Sequence, residues 1–262
     1  MRVNESNDSL VIAGKSFKSR LIVGTGRHRT NEEMIASIES SGAEIVTVAI
    51  RRLDLDNPGK KTILDYVDWS KYTILPNTAG CKTAEEALKI ARLSRAMGLG
   101  DWIKLEVISD TEYLLPDPNG TYEAAQMLVA EGFIVLPYIN YDPVLAKRLE
   151  EIGTATVMPL AAPIGSGQGV VFVEQIRIII DQAKIPVVID AGLGVPSDAA
   201  MVMELGAGAV LVNTAIAQAQ QPVLMGEAFK QGVEAGRKAF LAGRIVRKSF
   251  AIASSPLHGN VQ

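Results

Sequence analysis

Along the chain, short runs rich in Val, Ile and Leu or alternating between apolar and polar residues are set between longer stretches whose apolar positions return every three or four residues. The first pattern marks strands and the second amphipathic helices. Eight strand-like runs fall at residues 20–23, 44–49, 72–75, 102–108, 133–138, 156–160, 186–190 and 209–213. Helical periods fill stretches such as 83–97, 121–130, 143–152 and 197–205, the first and last opened by residues suited to capping. Gly, Pro, Asn and Asp separate the segments. Eight strand-then-helix units in roughly 240 residues predict an α/β fold, the closed (β/α)8 TIM barrel. Residues 10–15 predict a short N-terminal β-hairpin arm that closes the barrel bottom. No linker, low-complexity tract or charge block divides the chain, so residues 1–262 are expected to form a single barrel domain with a mobile C-terminal tail from about residue 250.

One run carries a charge where an apolar residue is expected. In Asp101-Trp102-Ile103-Lys104-Leu105-Glu106-Val107-Ile108, period two puts Lys104 and Glu106 on one face and Ile103, Leu105 and Val107 on the other. In a barrel the outer face of a strand meets helices and is apolar, which turns Lys104 and Glu106 into the lumen. A lysine taken out of water has its pKa pushed toward neutrality, which leaves an amine able to attack a carbonyl and form a Schiff base. Glu106 is then an ion-pair partner or a proton carrier. Asp190 ends the seventh run, at the strand end where barrel enzymes gather catalytic groups, although a turn-forming or helix-capping aspartate fits the same position.

Composition narrows the classes. A chain of 262 residues with 48% hydrophobic content can bury a large core, and a net charge of -3 gives no bulk attraction to nucleic acid or an anionic membrane. The single cysteine, Cys81, excludes an intrachain disulfide, and with only two, distant histidines no metal centre is expected. The N-terminus lacks the apolar core of a signal peptide and no uncharged apolar run is of membrane-spanning length, so the expected location is cytoplasmic.

A second constellation follows Asp190. Ala191-Gly192-Leu193-Gly194 leads into a helix, and the eighth run ends at Asn213-Thr214 before another helical stretch. Loops after the seventh and eighth strands of this fold commonly cradle phosphate, because glycines bring backbone N–H groups close to the oxyanion. The stretch 161–169, with Gly165, Gly167 and Gly169, lies after the sixth run and fits either a further set of donors or a lid. A phosphorylated substrate is expected.

These residues carry a resemblance. Val23-Gly24-Thr25-Gly26, Val48-Ala49-Ile50-Arg51-Arg52, Asn77-Thr78-Ala79-Gly80-Cys81, Lys104-Leu105-Glu106, Val135-Leu136-Pro137-Tyr138, the run from Met158 to Gly167, Asp190-Ala191-Gly192-Leu193-Gly194 and Leu211-Val212-Asn213-Thr214 resemble, in order, the thiazole synthase family of thiamin biosynthesis, ThiG. The likeness runs from about residue 10 to Arg244, with local departures at Arg27-His28 and Leu53-Asp54. It implies condensation of 1-deoxy-D-xylulose 5-phosphate, dehydroglycine and sulfur from the C-terminal thiocarboxylate of a ThiS-type sulfur-carrier protein into a thiazole phosphate carboxylate. It also implies Lys104 as the Schiff-base lysine and Glu106 and Asp190 as acid–base groups. Gly165, Ala191, Gly192, Asn213 and Thr214 match sugar-phosphate positions, with Gly194 in the same loop. Neither metal nor redox cofactor is required by these steps. The resemblance further implies a homotetramer or dimer and a separate enzyme that supplies dehydroglycine. Lysine-dependent aldolases and pyridoxal-phosphate-synthase-like barrels share single motifs with the chain but not the ordered set.

Other conspicuous residues keep two readings. Cys81 fits a buried thiol or a residue facing the site, and His28 fits substrate contact or solvent. Arg51 and Arg52 fit either an anion contact or salt bridges, while Met201 and Met203 fit packing of their helix. The tail residue His258 is given no role.

Overall fold

The computed structural model describes residues 8–53 and 61–255. The chain opens with an antiparallel hairpin, β1 (Leu10–Ile12) and β2 (Lys15–Phe17), two residues longer than the predicted arm. Its turn residues Ala13 and Gly14 both take positive φ, 47° and 77°, as a tight hairpin requires. Eight parallel strands follow: β3 (Leu21–Gly24), β4 (Ile45–Ala49), β5 (Thr73–Asn77), β6 (Trp102–Leu105), β7 (Ile134–Ile139), β8 (Met158–Pro159), β9 (Val188–Ile189) and β10 (Ala209–Val212). Each pairs with its neighbour, β3 pairs with β10, and the ring closes between β8 and β9 through single bridges Val157 to Val187 and Leu160 to Asp190. The expected (β/α)8 TIM barrel is therefore the observed fold, with all eight predicted runs in place.

Helices fill the connections: α1 (Asn31–Ser41), α2 (Ile63–Tyr66), α3 (Ala84–Ala96), α4 (Pro118–Ala130), α5 (Pro143–Glu151), α6 (Val173–Gln182), α7 (Pro196–Glu204), α8 (Thr214–Ala217) and α9 (Pro222–Ala242). Thr30 and Thr83 cap α1 and α3 with their hydroxyls, and Asp117 and Asp142 cap α4 and α5 ahead of a proline at the first helical position. Helix α4 begins three residues before the predicted 121 for that reason. At α7 the cap is not Ser197: Pro196 opens the helix and the Asp198 carboxylate accepts from the N–H groups of Gly194 (2.8 Å) and Val195 (3.1 Å). Gly236 of α9 packs on α7 so closely that a Cβ would lie 2.3 Å from the Ala200 carbonyl oxygen. Among the described residues no helix is long and apolar enough to cross a membrane. From 244 to 255 the chain carries neither helix nor strand and stays exposed. His258 and the rest of the predicted tail lie outside the described residues.

Period two along the strands sorts side chains into two layers. Outward residues such as Val23, Val46, Ile103, Leu105, Val135 and Ile189 are buried against the helices. Inward residues Ile22, Ile45, Leu75, Leu136, Met158, Val188 and Leu211 fill the lower lumen, where Leu10, Ile12 and Phe17 of the hairpin join them. Each such side chain contributes about 1.5–3 kcal/mol on burial, so the barrel bottom is a packed plug. Two residues further along each strand the lumen changes character. There stand Gly24, Thr47, Asn77, Lys104, Tyr138, Leu160, Asp190 and Asn213, one from each of the eight strands or its end. Six of these eight, all but Gly24 and Leu160, are polar, so the C-terminal end of the lumen carries the chemistry-bearing side chains.

Candidate active site

Lys104 lies inside the lumen at 6% exposure, with Glu106 at 6% and Asp190 at 3%. Its Nζ is 2.5 Å from Asp190 Oδ2 and 3.6 Å from Glu106 Oε1. The three residues that the sequence placed together are together. Local structure explains why. After Leu105 the chain leaves the strand ladder, and the Thr78 hydroxyl replaces a backbone partner: it accepts the Glu106 N–H at 2.7 Å and donates to the Glu106 carbonyl at 2.8 Å. The predicted strand 102–108 is shorter for this reason, and Glu106 keeps its inward direction. Asp190 is oriented by the Ala191 N–H, which donates to Oδ1 at 2.7 Å and leaves Oδ2 for the lysine. Asn77 beside Lys104 donates to Thr47 Oγ1 at 3.1 Å, completing a polar floor.

Electrostatics corrects one expectation. Burial does push the Lys104 amine down, but Asp190 and Glu106 together more than offset it, and the resting side chain is an ammonium held above the ordinary lysine pKa. Glu106 is pushed above the ordinary carboxylate value by burial and by the Asp190 charge, which Lys104 only partly opposes. Before the amine attacks a carbonyl, its proton must leave, and Asp190 is the nearest acceptor. Tyr138, also lumenal, lies with its ring centroid 5.7 Å from Lys104 Nζ. Burial and the two carboxylates keep its phenol protonated, and its hydroxyl has no partner among the described residues. The reading of the sequence missed Tyr138, although its place two residues after lumenal Leu136 marks it.

Above this floor opens a cavity of about 730 Å³. Gly165, Ala191, Gly192, Gly194, Asn213 and Thr214 all line it, together with Lys104, Glu106 and Asp190. Ala191 and Gly192 take positive φ, 54° and 75°, and a Cβ on Gly192 would lie 2.4 Å from that of Ala162, so only glycine fits there. The loops after β8 and β9 are laced by the Gly169 N–H donating to the Gly192 carbonyl at 2.9 Å. The N–H groups of Gly165, Gly192, Leu193, Thr214 and Ala215 take no partner among the described residues. They leave this rim a set of uncharged donors, the kind of group that can meet an anion. Gly194 contributes space rather than a donor, since its N–H is taken by Asp198 and a Cβ would meet the Gly167 carbonyl oxygen at 2.7 Å.

The remaining residues separate. Cys81 is fully buried against the helices, and burial lifts its thiol to about 11, so it packs rather than reacts. Arg51 turns away, donating to the Gly80 carbonyl at 2.5 Å with Glu86 3.8 Å distant, while Arg52 lines the cavity. His28 also lines it, half-buried, with its pKa held below the ordinary imidazole value by burial. Met203 is buried in the α7 packing and Met201 is partly exposed.

Fold and site define a (β/α)8-barrel enzyme built around a buried lysine flanked by two carboxylates beneath a glycine-rich rim. The family model of thiazole biosynthesis protein ThiG matches residues 11–256, and the chain belongs to that family. Thiazole synthase of Synechococcus sp. is 59% identical over 260 residues, covering 97% of this chain and 94% of that one. The bifunctional protein ThiO/ThiG of Trichormus variabilis is 58% identical over 261 residues, and there the chain spans only 40% of the relative's length. Among solved structures, the Amycolatopsis orientalis BexX/CysO complex contains a chain with a TM-score of 0.82 and 33% identity, over 92% of this chain and 98% of that one.

Proposed function

We propose that the chain is a thiazole synthase that condenses 1-deoxy-D-xylulose 5-phosphate, dehydroglycine and carrier-borne sulfur through an imine on Lys104. The observation that carries this reading is the Lys104 ammonium, 2.5 Å from Asp190 and 3.6 Å from Glu106, beneath a rim of free backbone N–H groups. The phosphate rests on the rim at Gly165, Ala191–Gly192 and Asn213–Thr214, and this remote grip sets the ketone over the lysine. Asp190 takes the ammonium proton, the amine adds to the ketone, and water leaves to give a protonated imine. The imine draws electrons from the adjacent carbon, whose proton passes to a carboxylate, and the carbonyl moves along the sugar to where sulfur adds. Glu106, whose carboxyl burial holds above the ordinary carboxylate range, supplies protons to leaving hydroxyls in the later water losses.

The sulfur arrives on the C-terminal tail of a ThiS-type carrier. The relative BexX forms a complex with CysO, which supports a protein partner. A second enzyme supplies dehydroglycine, a division supported by the larger bifunctional ThiO/ThiG relative. Homotetramer assembly belongs to the same reading. So does a single barrel domain.

Product formation from the three components, followed by mass, tests the proposal. Lys104→Ala is expected to lose at least about 1,000-fold in rate, and a variant retaining rate within tenfold of wild type overturns the reading.

A further inference from the structure

The reaction proposed above brings two anions into one cavity: the phosphate of the sugar and the carboxylate of the two-carbon imine. The rim on the β8, β9 and β10 side offers uncharged N–H groups. Over β3 and β4 the wall is different. Arg52, in the short turn after β4, lays its guanidinium across Gly26: a Cβ at Gly26 would lie 2.8 Å from Arg52 Nη1 and 3.3 Å from Asn213 Nδ2. The two donors converge on one spot that any larger residue at position 26 would fill. Asn213 is turned this way because its Oδ1 and Cγ pack against Gly24, 2.9 and 2.7 Å from where a Cβ would stand. Arg52 is exposed to solvent but lines the same cavity as Glu106 and Asp190, which puts it on the inner side of the rim and not on the outer wall.

The other cations near the cavity are engaged differently. Lys104 is held by Asp190 and Glu106, and Lys61 lies over the Tyr66 ring, 5.9 Å from its centroid. Guanidinium presents parallel N–H groups that match a carboxylate plane, which an ammonium does not. We infer that Arg52, with the Asn213 side-chain amide beside it, holds the carboxylate of the two-carbon imine across the cavity from the phosphate cradle. This rests on the thiazole synthase reading. Asn213 then stands between the two anions, its backbone at the phosphate end and its carboxamide at the carboxylate end. The imine is presented to the sugar carbons above Lys104, and neutral two-carbon imines are discriminated against. Arg52 is thus a positioning and specificity residue.

The test is steady-state thiazole formation with carrier thiocarboxylate, 1-deoxy-D-xylulose 5-phosphate and the imine formed in situ from glyoxylate and ammonium. In Arg52→Ala the KM for glyoxylate is expected to rise at least about 30-fold, with Arg52→Lys intermediate. The KM for the sugar phosphate should change less than about twofold. Borohydride trapping of the sugar on Lys104 should stay at the wild-type yield in Arg52→Ala, which also reports an intact site. A rise in the sugar-phosphate KM instead, or a glyoxylate KM that does not move, overturns the inference while leaving the wild-type reaction standing. A wild-type protein that forms neither adduct nor thiazole overturns the reading beneath it.

Discussion

Lys104 is charged at rest because two carboxylates surround it, and its reactivity depends on where that proton goes. Burial is the largest single influence on the amine and lowers its pKa, while Asp190 and then Glu106 raise it. Removing the Asp190 charge leaves burial less opposed, so in Asp190→Asn the amine pKa falls. The rate of imine formation, measured by borohydride trapping across pH 6–10, is therefore expected to reach its plateau at lower pH than in wild type. The plateau itself should be lower, since the acceptor 2.5 Å from Nζ is gone. An unchanged profile would mean that Asp190 does not set the charge of the lysine. Period two in the sequence placed Lys104 and Glu106 inside the barrel. The charge state was not legible there, because it depends on Asp190, 86 positions away in sequence and beside the lysine only once the barrel closes.

At the scale of elements, the hairpin and the strands divide the lumen between stability and chemistry. Phe17 of β2 is 3% exposed and meets Trp102 edge-on with ring centroids 5.9 Å apart, at the end of the barrel opposite the site. Phe17→Ala is expected to cost about 3–5 kcal/mol in urea unfolding while the yield of trapped Lys104 adduct in the folded fraction stays at the wild-type level. A loss of adduct without loss of stability would contradict this separation. All eight strands were legible because their apolar runs are punctuated by Gly, Pro, Asn and Asp. Their ends were less so: β6 stops at Leu105 because a threonine hydroxyl takes over the backbone pairing, which no local pattern encodes. Nor did the pattern bound α9, since the helical stretch expected after Thr214 was given no extent: its Gly226, Gly232 and Gly236 lower helical propensity but allow close contact with α1 and α7. The start of α7 was misplaced by one residue because its cap comes from Asp198, inside the helix, and not from the residue ahead of it.

For the whole molecule, the barrel sets a two-carboxylate lysine at the floor, unpartnered backbone N–H groups on one arc of the rim and a guanidinium on the other. The ordered motifs along the chain made the family and the lysine legible. Tyr138 and the inward turn of Arg52 required the closed ring. One covalent step, the imine on Lys104, underlies the proposed chemistry. It is tested most directly by incubating the protein with 1-deoxy-D-xylulose 5-phosphate and borohydride, measuring intact mass and mapping the modified peptide. The expected result is one reduced sugar-phosphate adduct on the peptide containing Lys104, absent from Lys104→Ala. No adduct on that peptide, when a rise in Tm shows that the sugar phosphate binds, would contradict the account and return Lys104 to an electrostatic role.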